Sequence, residues 1–250
     1  MDENMLGEGA FGAVVKGTHK LTGTAFAIKS IGKDVVDDDD EITIMKLVDH
    51  SNIIKLHDTF QDQHHTFFVM EMCSGGEIWE DGSAALTESQ AASTMQQAFF
   101  GVVYMHKAYL CHRDVKPTNL LLMRKGPIEK NVVKIIDCGV SCTFTSDCVM
   151  ARKAGTELYM APEVLAGAYD HMIDLWCCGM VMFLLLAGET PWLVNVPHNI
   201  VLNRGKLFRK PVWTNVSDDA KHLVRMLLNM NPKERFTGEQ ALKHEWVITR

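Results

Sequence analysis

Phosphate chemistry is the first suggestion of this chain. Gly7-Glu8-Gly9-Ala10-Phe11-Gly12-Ala13-Val14 is a GxGxxGxV run, and glycines in such a run let a backbone come close to phosphates. A dinucleotide site would need a helix directly after the third glycine. The residues after Gly12 alternate as strand residues instead, which favours a glycine-rich lid, with an ordinary glycine turn as the alternative. Seventeen residues after Gly12, Lys29 ends the apolar stretch Phe26-Ala27-Ile28. An ammonium there is costly to bury unpaired, so it calls for a phosphate and a carboxylate, and Glu41 is the candidate carboxylate. Taken singly, Lys29 also fits an exposed strand end. The strongest segment is His112-Arg113-Asp114-Val115-Lys116-Pro117-Thr118-Asn119, an HRDxKxxN pattern, followed 23 residues after Asp114 by Asp137-Cys138-Gly139 behind an apolar strand.

Elements must bring these pieces together. Ala13 to His19 and Thr24 to Ser30 read as a hairpin around the turn Lys20-Leu21-Thr22-Gly23. Asp37 to Asp40 precede Ile42, Ile44, Met45, Leu47 and Val48, which suits a helix with carboxylates at its positive dipole end; a solvated acidic loop is the alternative. Thr66 to Met70 reads as a strand, and the small residues from Cys73 to Gly76 as a link between two lobes. Helix then predominates. Thr87 and Gln90 form a capping-box pattern ahead of a run to His106. Further helices are expected over Asp174 to Ala187, Ser217 to Asn229 and Gly238 to Trp246. Leu120 to Leu122 and Val132 to Ile136 flank the turn-like Arg124 to Asn131, another hairpin.

Composition narrows the class. The 250 residues are 47% hydrophobic and 22% charged, enough apolar material for a large core, which excludes a disordered or collagen-like chain. The net charge of −6, without a basic cluster, argues against nucleic acid as a partner. The seven cysteines form no CxxC pair and fit reduced thiols, which predicts a cytoplasmic location and leaves the nucleus open. The longest nearly apolar run, Leu175 to Ala187, falls short of the roughly 20 residues of a membrane span. The opening Met1-Asp2-Glu3 carries neither a signal-peptide nor a myristoylation pattern.

The ordered set of motifs resembles a eukaryotic protein kinase domain, and the resemblance covers essentially the whole chain: the glycine run, Lys29, the HRDxKxxN loop, Asp137-Cys138-Gly139, Ala161-Pro162-Glu163, Asp174 and Arg235. Lys116-Pro117 and Gly155-Thr156 resemble the serine/threonine branch. His50 to Leu56, Gly75-Gly76-Glu77, Lys134 to Asp137 and Asp174 to Gly179 are similar to calcium/calmodulin-dependent and calcium-dependent kinases of plants and protists. The resemblance implies an α+β, two-lobed kinase fold, with a small β-rich N-lobe over residues 1–72, a larger, mainly helical C-lobe over 73–250 and an ATP cleft between them. It implies ATP and Mg2+ as cofactors and a protein substrate as partner. Lys29 holds the α/β-phosphates and is oriented by Glu41; Asp137 and Asn119 bind magnesium; Asp114 accepts the substrate hydroxyl proton; Lys116 steadies the transferring phosphoryl group. Leu6, Gly7, Gly9 and Gly12 cover the nucleotide, Val14, Ala27 and Leu121 enclose adenine, Glu71 and Cys73 offer backbone hydrogen bonds, and Met70 stands behind the pocket. Glu77 meets the ribose and a basic residue of the substrate, a preference that Thr118, standing where many relatives carry glutamate, should weaken. No EF-hand pattern occurs, so a calcium-sensing regulator would lie outside these residues.

The chain departs from this pattern in places. It starts six residues before Gly7, which shortens the first strand. Only 11 residues separate Lys29 from Glu41, which is expected to remove the first turns of the regulatory helix and puts their alignment in question. Cys138 replaces the usual phenylalanine, predicting a gap or compensating packing beside His112 and Met45. A pseudokinase that binds nucleotide or acts as a scaffold is therefore the alternative to an active enzyme. Arg152 stands where phosphorylation-dependent relatives carry threonine, and the carboxylates of Asp37 to Asp40 are expected to attract Arg152 or Lys153, the alternative being that they simply cap a helix in solvent.

Overall fold

Strand residues rich in Val, Ile and Phe build the first third of the chain. The computed structural model describes residues 4–9, 12–33, 38–145, 149–191 and 207–249, with Glu8, Gly9 and Asp38 to Asp40 described by their backbone alone. Five strands, β1 (Met5–Gly9), β2 (Gly12–Thr18), β3 (Ala25–Gly32), β4 (Leu56–Gln61) and β5 (His65–Glu71), form one antiparallel sheet in the order β1-β2-β3-β5-β4. The expected β2-β3 hairpin pairs Ala13 with Ser30 and Val14 with Lys29, and its turn closes through the His19 amide donating to the Thr24 carbonyl at 2.8 Å. β1 pairs with β2 from Met5 to Gly9.

Helix α1 (Asp38–Leu47) crosses between β3 and β4. Glu41, Ile42, Ile44, Met45 and Val48 are buried, the three- and four-residue spacing of a single helical face. Asp38 to Asp40 form its first turn; Asp37 and the side chains of the other three lie outside the described residues, and with them the expected attraction of Arg152.

From residue 88 onward helices dominate, as expected. Helix α2 (Glu88–Lys107) opens with the capping box: the Gln90 amide donates to Thr87 Oγ1, and the Thr87 amide donates to Gln90 Oε1. Two short ribbons follow, β6 (Leu110–Cys111) with β9 (Cys142–Thr143), and β7 (Leu120–Leu122) with β8 (Val133–Ile135). Then come α3 (Pro162–Ala166), α4 (Ile173–Ala187), α5 (Asp218–Leu227), α6 (Gly238–Leu242) and α7 (Glu245–Ile248). Helix α4 is buried from Ile173 to Leu186, as an element apolar on every side must be. Arg235 ties α3 to this layer through two bonds to the Glu163 carboxylate, at 2.6 and 3.1 Å.

One expected helix is split. Gly238 to Trp246 forms two pieces, because Lys243 ends α6 and the His244 side chain accepts the Trp246 amide, starting α7. Among the described residues no helix is long and apolar enough to cross a membrane, and their six cysteines are free thiols.

Candidate active site

The sheet places Lys29 and the helix α1 places Glu41 so that the two meet despite the short connection. Lys29 Nζ lies 2.8 Å from Glu41 Oε1 and 2.9 Å from Asp137 Oδ1. The doubtful alignment is thus resolved in favour of a bond: α1 needs only to present Glu41 from its first full turn, and turns lost ahead of it do not contribute to this face. Burial pulls the Lys29 ammonium down, but the Glu41 and Asp137 carboxylates outweigh it and hold its pKa above the ordinary value. Burial likewise opposes ionisation of Asp137, yet Lys29, His112 and the Gly139 amide keep its pKa below normal. The site therefore carries a charged cation and a charged carboxylate at neutral pH.

The loop from His112 to Asn119 owes its shape to Asp174. Arg113 and Asp137 both have positive φ, 67° and 64°, which non-glycine residues avoid at a cost of order 1–3 kcal/mol each. Asp174, fully buried at the start of α4, offsets part of this by accepting the amides of His112 at 2.9 Å and Arg113 at 2.8 Å. His106 Nε2 lies 2.8 Å from Oδ2 of this carboxylate, the oxygen that also accepts the His112 amide. Burial works against the charge on Asp174, and these bonds still hold its pKa below normal. A lone acid directly before the apolar run Leu175 to Ala187 was its sequence signal.

Asp114 is held on all sides. Its Oδ1 accepts the Thr156 amide at 2.7 Å, and its Oδ2 accepts from Lys116 Nζ at 2.8 Å and Asn119 Nδ2 at 3.2 Å. Lys116 also donates to Thr156 Oγ1 at 2.7 Å. Gly155, with φ of 100°, lets this segment press on the loop; a Cβ there would stand 2.2 Å from the Arg113 carbonyl oxygen.

The remaining expected residues lie on the sheet, on the segment after β5 and on β7. Leu6 and Gly7 are exposed on β1, and Gly9 pairs with Gly12 at the tip, where Ala10 and Phe11 lie outside the described residues. Gly12 is required for a reason other than phosphate contact: a Cβ there would lie 1.8 Å from the Ser30 carbonyl oxygen. Val14 pairs with Lys29, Ala27 pairs with the buried Met70, and Leu121 forms a bridge with Glu77. Cys73 is half-buried, and burial followed by the Glu71 charge pushes its thiol up to about 11. Burial and then the charges of Glu80 and Asp81 raise the Glu77 pKa. Cys138 is 2% exposed, enclosed in the same hydrophobic core as Met45, with His112 also buried, and its thiol is pushed up to about 12 by burial and then by Glu41.

One contact was invisible to sequence reasoning. Lys134 Nζ donates to Glu71 Oε1 at 2.6 Å, and the same oxygen accepts the Lys55 amide at 2.8 Å. The pair ties the end of β5 to β8 across 63 residues. Thr156, as a partner of Asp114 and Lys116, was likewise not anticipated.

Asp137 and Asn119 provide a carboxylate and an amide oxygen, hard donors that suit a divalent cation. Asn119 turns its amide nitrogen onto the Asp114 main-chain carbonyl at 2.8 Å, which aims its oxygen away from Asp114. Among the described residues there is no cluster of three or more His, Cys, Asp or Glu side chains placed to hold a metal.

A glycine-tipped sheet over a helical layer, with Lys29 bridging Glu41 and Asp137 between them, gives a two-lobed molecule with a charged site where the lobes meet. Residues 1–247 match the protein kinase domain family model, and the chain belongs to that family, which works with ATP and a divalent metal. It is similar to calcium-dependent protein kinase 3 of Plasmodium yoelii yoelii, 37% identical over 98% of this chain and 47% of that protein. Calcium-dependent protein kinase 5 of Plasmodium falciparum is also 37% identical, over 98% of this chain and 44% of its own length. A probable myosin light chain kinase of Dictyostelium discoideum is 37% identical over 97% of this chain and 64% of its own. The chain spans about half the length of the calcium-dependent kinases it matches.

Proposed function

We propose that the chain is an active serine/threonine protein kinase that transfers the ATP γ-phosphate to a protein hydroxyl. The observation that carries the reading is the Asp114 carboxylate, held by Thr156, Lys116 and Asn119 with no rotation left to lose. A carboxylate so fixed is ready to accept the proton of a substrate hydroxyl. Lys116, bonded to both Asp114 and Thr156, stands where a transferring phosphoryl group needs positive charge. Lys29, steadied by Glu41, orients the α/β-phosphates. Mg2+ held by Asp137 and Asn119 would supply neutralisation of phosphate charge. Leu6, Gly7, Gly9 and Gly12 cover the nucleotide; Val14, Ala27, Met70 and Leu121 enclose adenine beside the Glu71 and Cys73 backbone.

The lobes divide after residue 72. Glu77, with Glu80 and Asp81 adding to its negative field, favours a basic substrate sequence. Calcium control, named in the relatives, would come from a regulator outside these 250 residues, and the free thiols suit a reducing cytoplasm. The bond between Lys29 and Glu41 favours this reading over a pseudokinase, which then rests on Cys138 alone.

The test is magnesium-dependent transfer from ATP to a generic basic serine peptide, with Lys29→Met and Asp114→Asn as controls. Each variant should keep its fold and lose several orders of magnitude in kcat/KM. Near wild-type turnover by Asp114→Asn would refute the role given to that residue.

A further inference from the structure

The segment that delivers Thr156 to Asp114 must be held in place. Arg113 donates its guanidinium N–H groups to the main-chain carbonyls of Val140 and Ser141 and to the Tyr169 hydroxyl oxygen. Further along, Met150 and Tyr169 form a two-way main-chain bridge: the Met150 amide donates to the Tyr169 carbonyl at 2.8 Å, and the Tyr169 amide donates to the Met150 carbonyl at 3.0 Å. The Tyr169 hydroxyl then donates to the Arg152 carbonyl. Cys142 Sγ lies 3.3 Å from Met150 Sδ, joining this point to β9. Tyr169 itself is 3% exposed and sits four residues before α4, the rigid helix that also carries Asp174.

These contacts have a direction. Arg152 is four residues before Thr156, whose amide and hydroxyl complete the surroundings of Asp114 and Lys116. Fixing the Arg152 carbonyl therefore shortens the free stretch of chain that presents Thr156 to three residues, and a shorter free stretch has less conformational entropy to lose when the site assembles. The burial of Tyr169 disfavours its ionisation more than the nearby Arg113 favours it, so its pKa is raised and the phenol stays a donor at neutral pH.

We propose that Tyr169 is a positioning residue for phosphoryl transfer, its hydroxyl latching the Arg152 carbonyl so that residues 150–156 stay docked on the catalytic loop. The proposal rests on the kinase reading above. It assigns the anchoring of the segment to a buried phenol that accepts from Arg113 and donates to the Arg152 carbonyl.

Tyr169→Phe is the decisive variant, because it keeps the ring and the main-chain bridge and removes only the hydroxyl. One net hydrogen bond corresponds to about a two- to tenfold change in an equilibrium, so kcat for a serine peptide should fall by about that factor. The KM for ATP should stay at the wild-type value, since Lys29, Glu71 and Cys73 are untouched. Amide hydrogen exchange across 150–156 should quicken by a similar factor, with exchange in α2 and α4 unchanged. Wild-type kcat together with wild-type exchange in this segment would overturn the latch. So would a fall in kcat with a raised ATP KM and faster exchange throughout, which would mark Tyr169 as a packing residue only. If the unmodified chain transfers no phosphate at all, the kinase reading fails, while the exchange comparison still decides whether the hydroxyl docks the segment.

Discussion

Replacing Lys134 by methionine should cost this protein more stability than most single changes, because it strands a carboxylate. Lys134 Nζ and Glu71 Oε1 are 2.6 Å apart, with side chains only 10% and 13% exposed. Removing one partner of a buried pair typically costs about 3–5 kcal/mol, most of it the penalty of the charge left behind. Glu71 keeps the Lys55 amide at 2.8 Å, so the lower end, about 3 kcal/mol, applies. For a domain of this size each kcal/mol lowers Tm by about 2–4 °C, which predicts a fall of roughly 6–12 °C. Adding Glu71→Gln removes the stranded charge, and the double variant should recover at least half of that loss. Thermal unfolding followed by circular dichroism reads both numbers. Low and moderate salt should give the same difference, since a pair this buried is poorly screened. The ATP KM should rise several-fold as the end of β5 loosens. A Tm shift below about 2 °C, or a double variant no more stable than the single one, would refute the reasoning.

Cys138→Phe introduces a ring where Cys138, His112 and Met45 are already enclosed, and overpacking of this kind costs about 1–3 kcal/mol; urea unfolding should show a lower midpoint, and a raised one would mean that a gap was present. Stability should also weaken with acid in two stages. His171 and His244 have pKa values held below their ordinary 6.5 by burial and then by a neighbouring histidine. Their contribution is present above pH 6.5 and is lost as pH falls through the lowered values. Asp137 and Asp174, lowered from 3.8, add a second loss below that pH. Lys29, raised from 10.5, contributes fully below that value and loses its contribution only as pH rises past it. Tm measured from about pH 3 to pH 10 should therefore be flat only between about 7 and 8, fall on the acid side, and fall again above about pH 9. There the half-buried Cys73 and the buried Cys111, Cys138, Cys177 and Cys178, raised from 9.0, resist the ionisation open to them in the unfolded chain. A Tm independent of pH between about 7.5 and 5.5 would contradict the histidine assignment.

Much of this protein could be read from its residues in order. The β2-β3 hairpin, the Thr87 capping box and the apolar α4 each follow from side chains within a few positions of one another, where spacing alone sets geometry. The HRDxKxxN loop was legible for the same reason: Asp114, Lys116 and Asn119 are close in the chain, so their meeting needs only one turn of backbone. The two-residue strands β6 and β9 were not, because so short a pattern has no period. Local competition also hid the break before α7, where a His244 side chain captures an amide that a continuous helix would have bonded internally.

Contacts between distant residues depend on packing. The count of residues between Lys29 and Glu41 raised a doubt that the fold removed, since the distance between two side chains depends on the faces of β3 and α1 and not on the chain that joins them. Glu71 with Lys134, Asp174 with the His112 and Arg113 amides, and Tyr169 with Arg152 join elements that no local pattern relates. Residue types and local spacing determined which groups this protein has for phosphate chemistry. Only the tertiary structure decided which of them are buried together, and burial is what turns an ordinary lysine, carboxylate or phenol into an oriented one, because in a dry interior each polar group must find a partner and then keeps it.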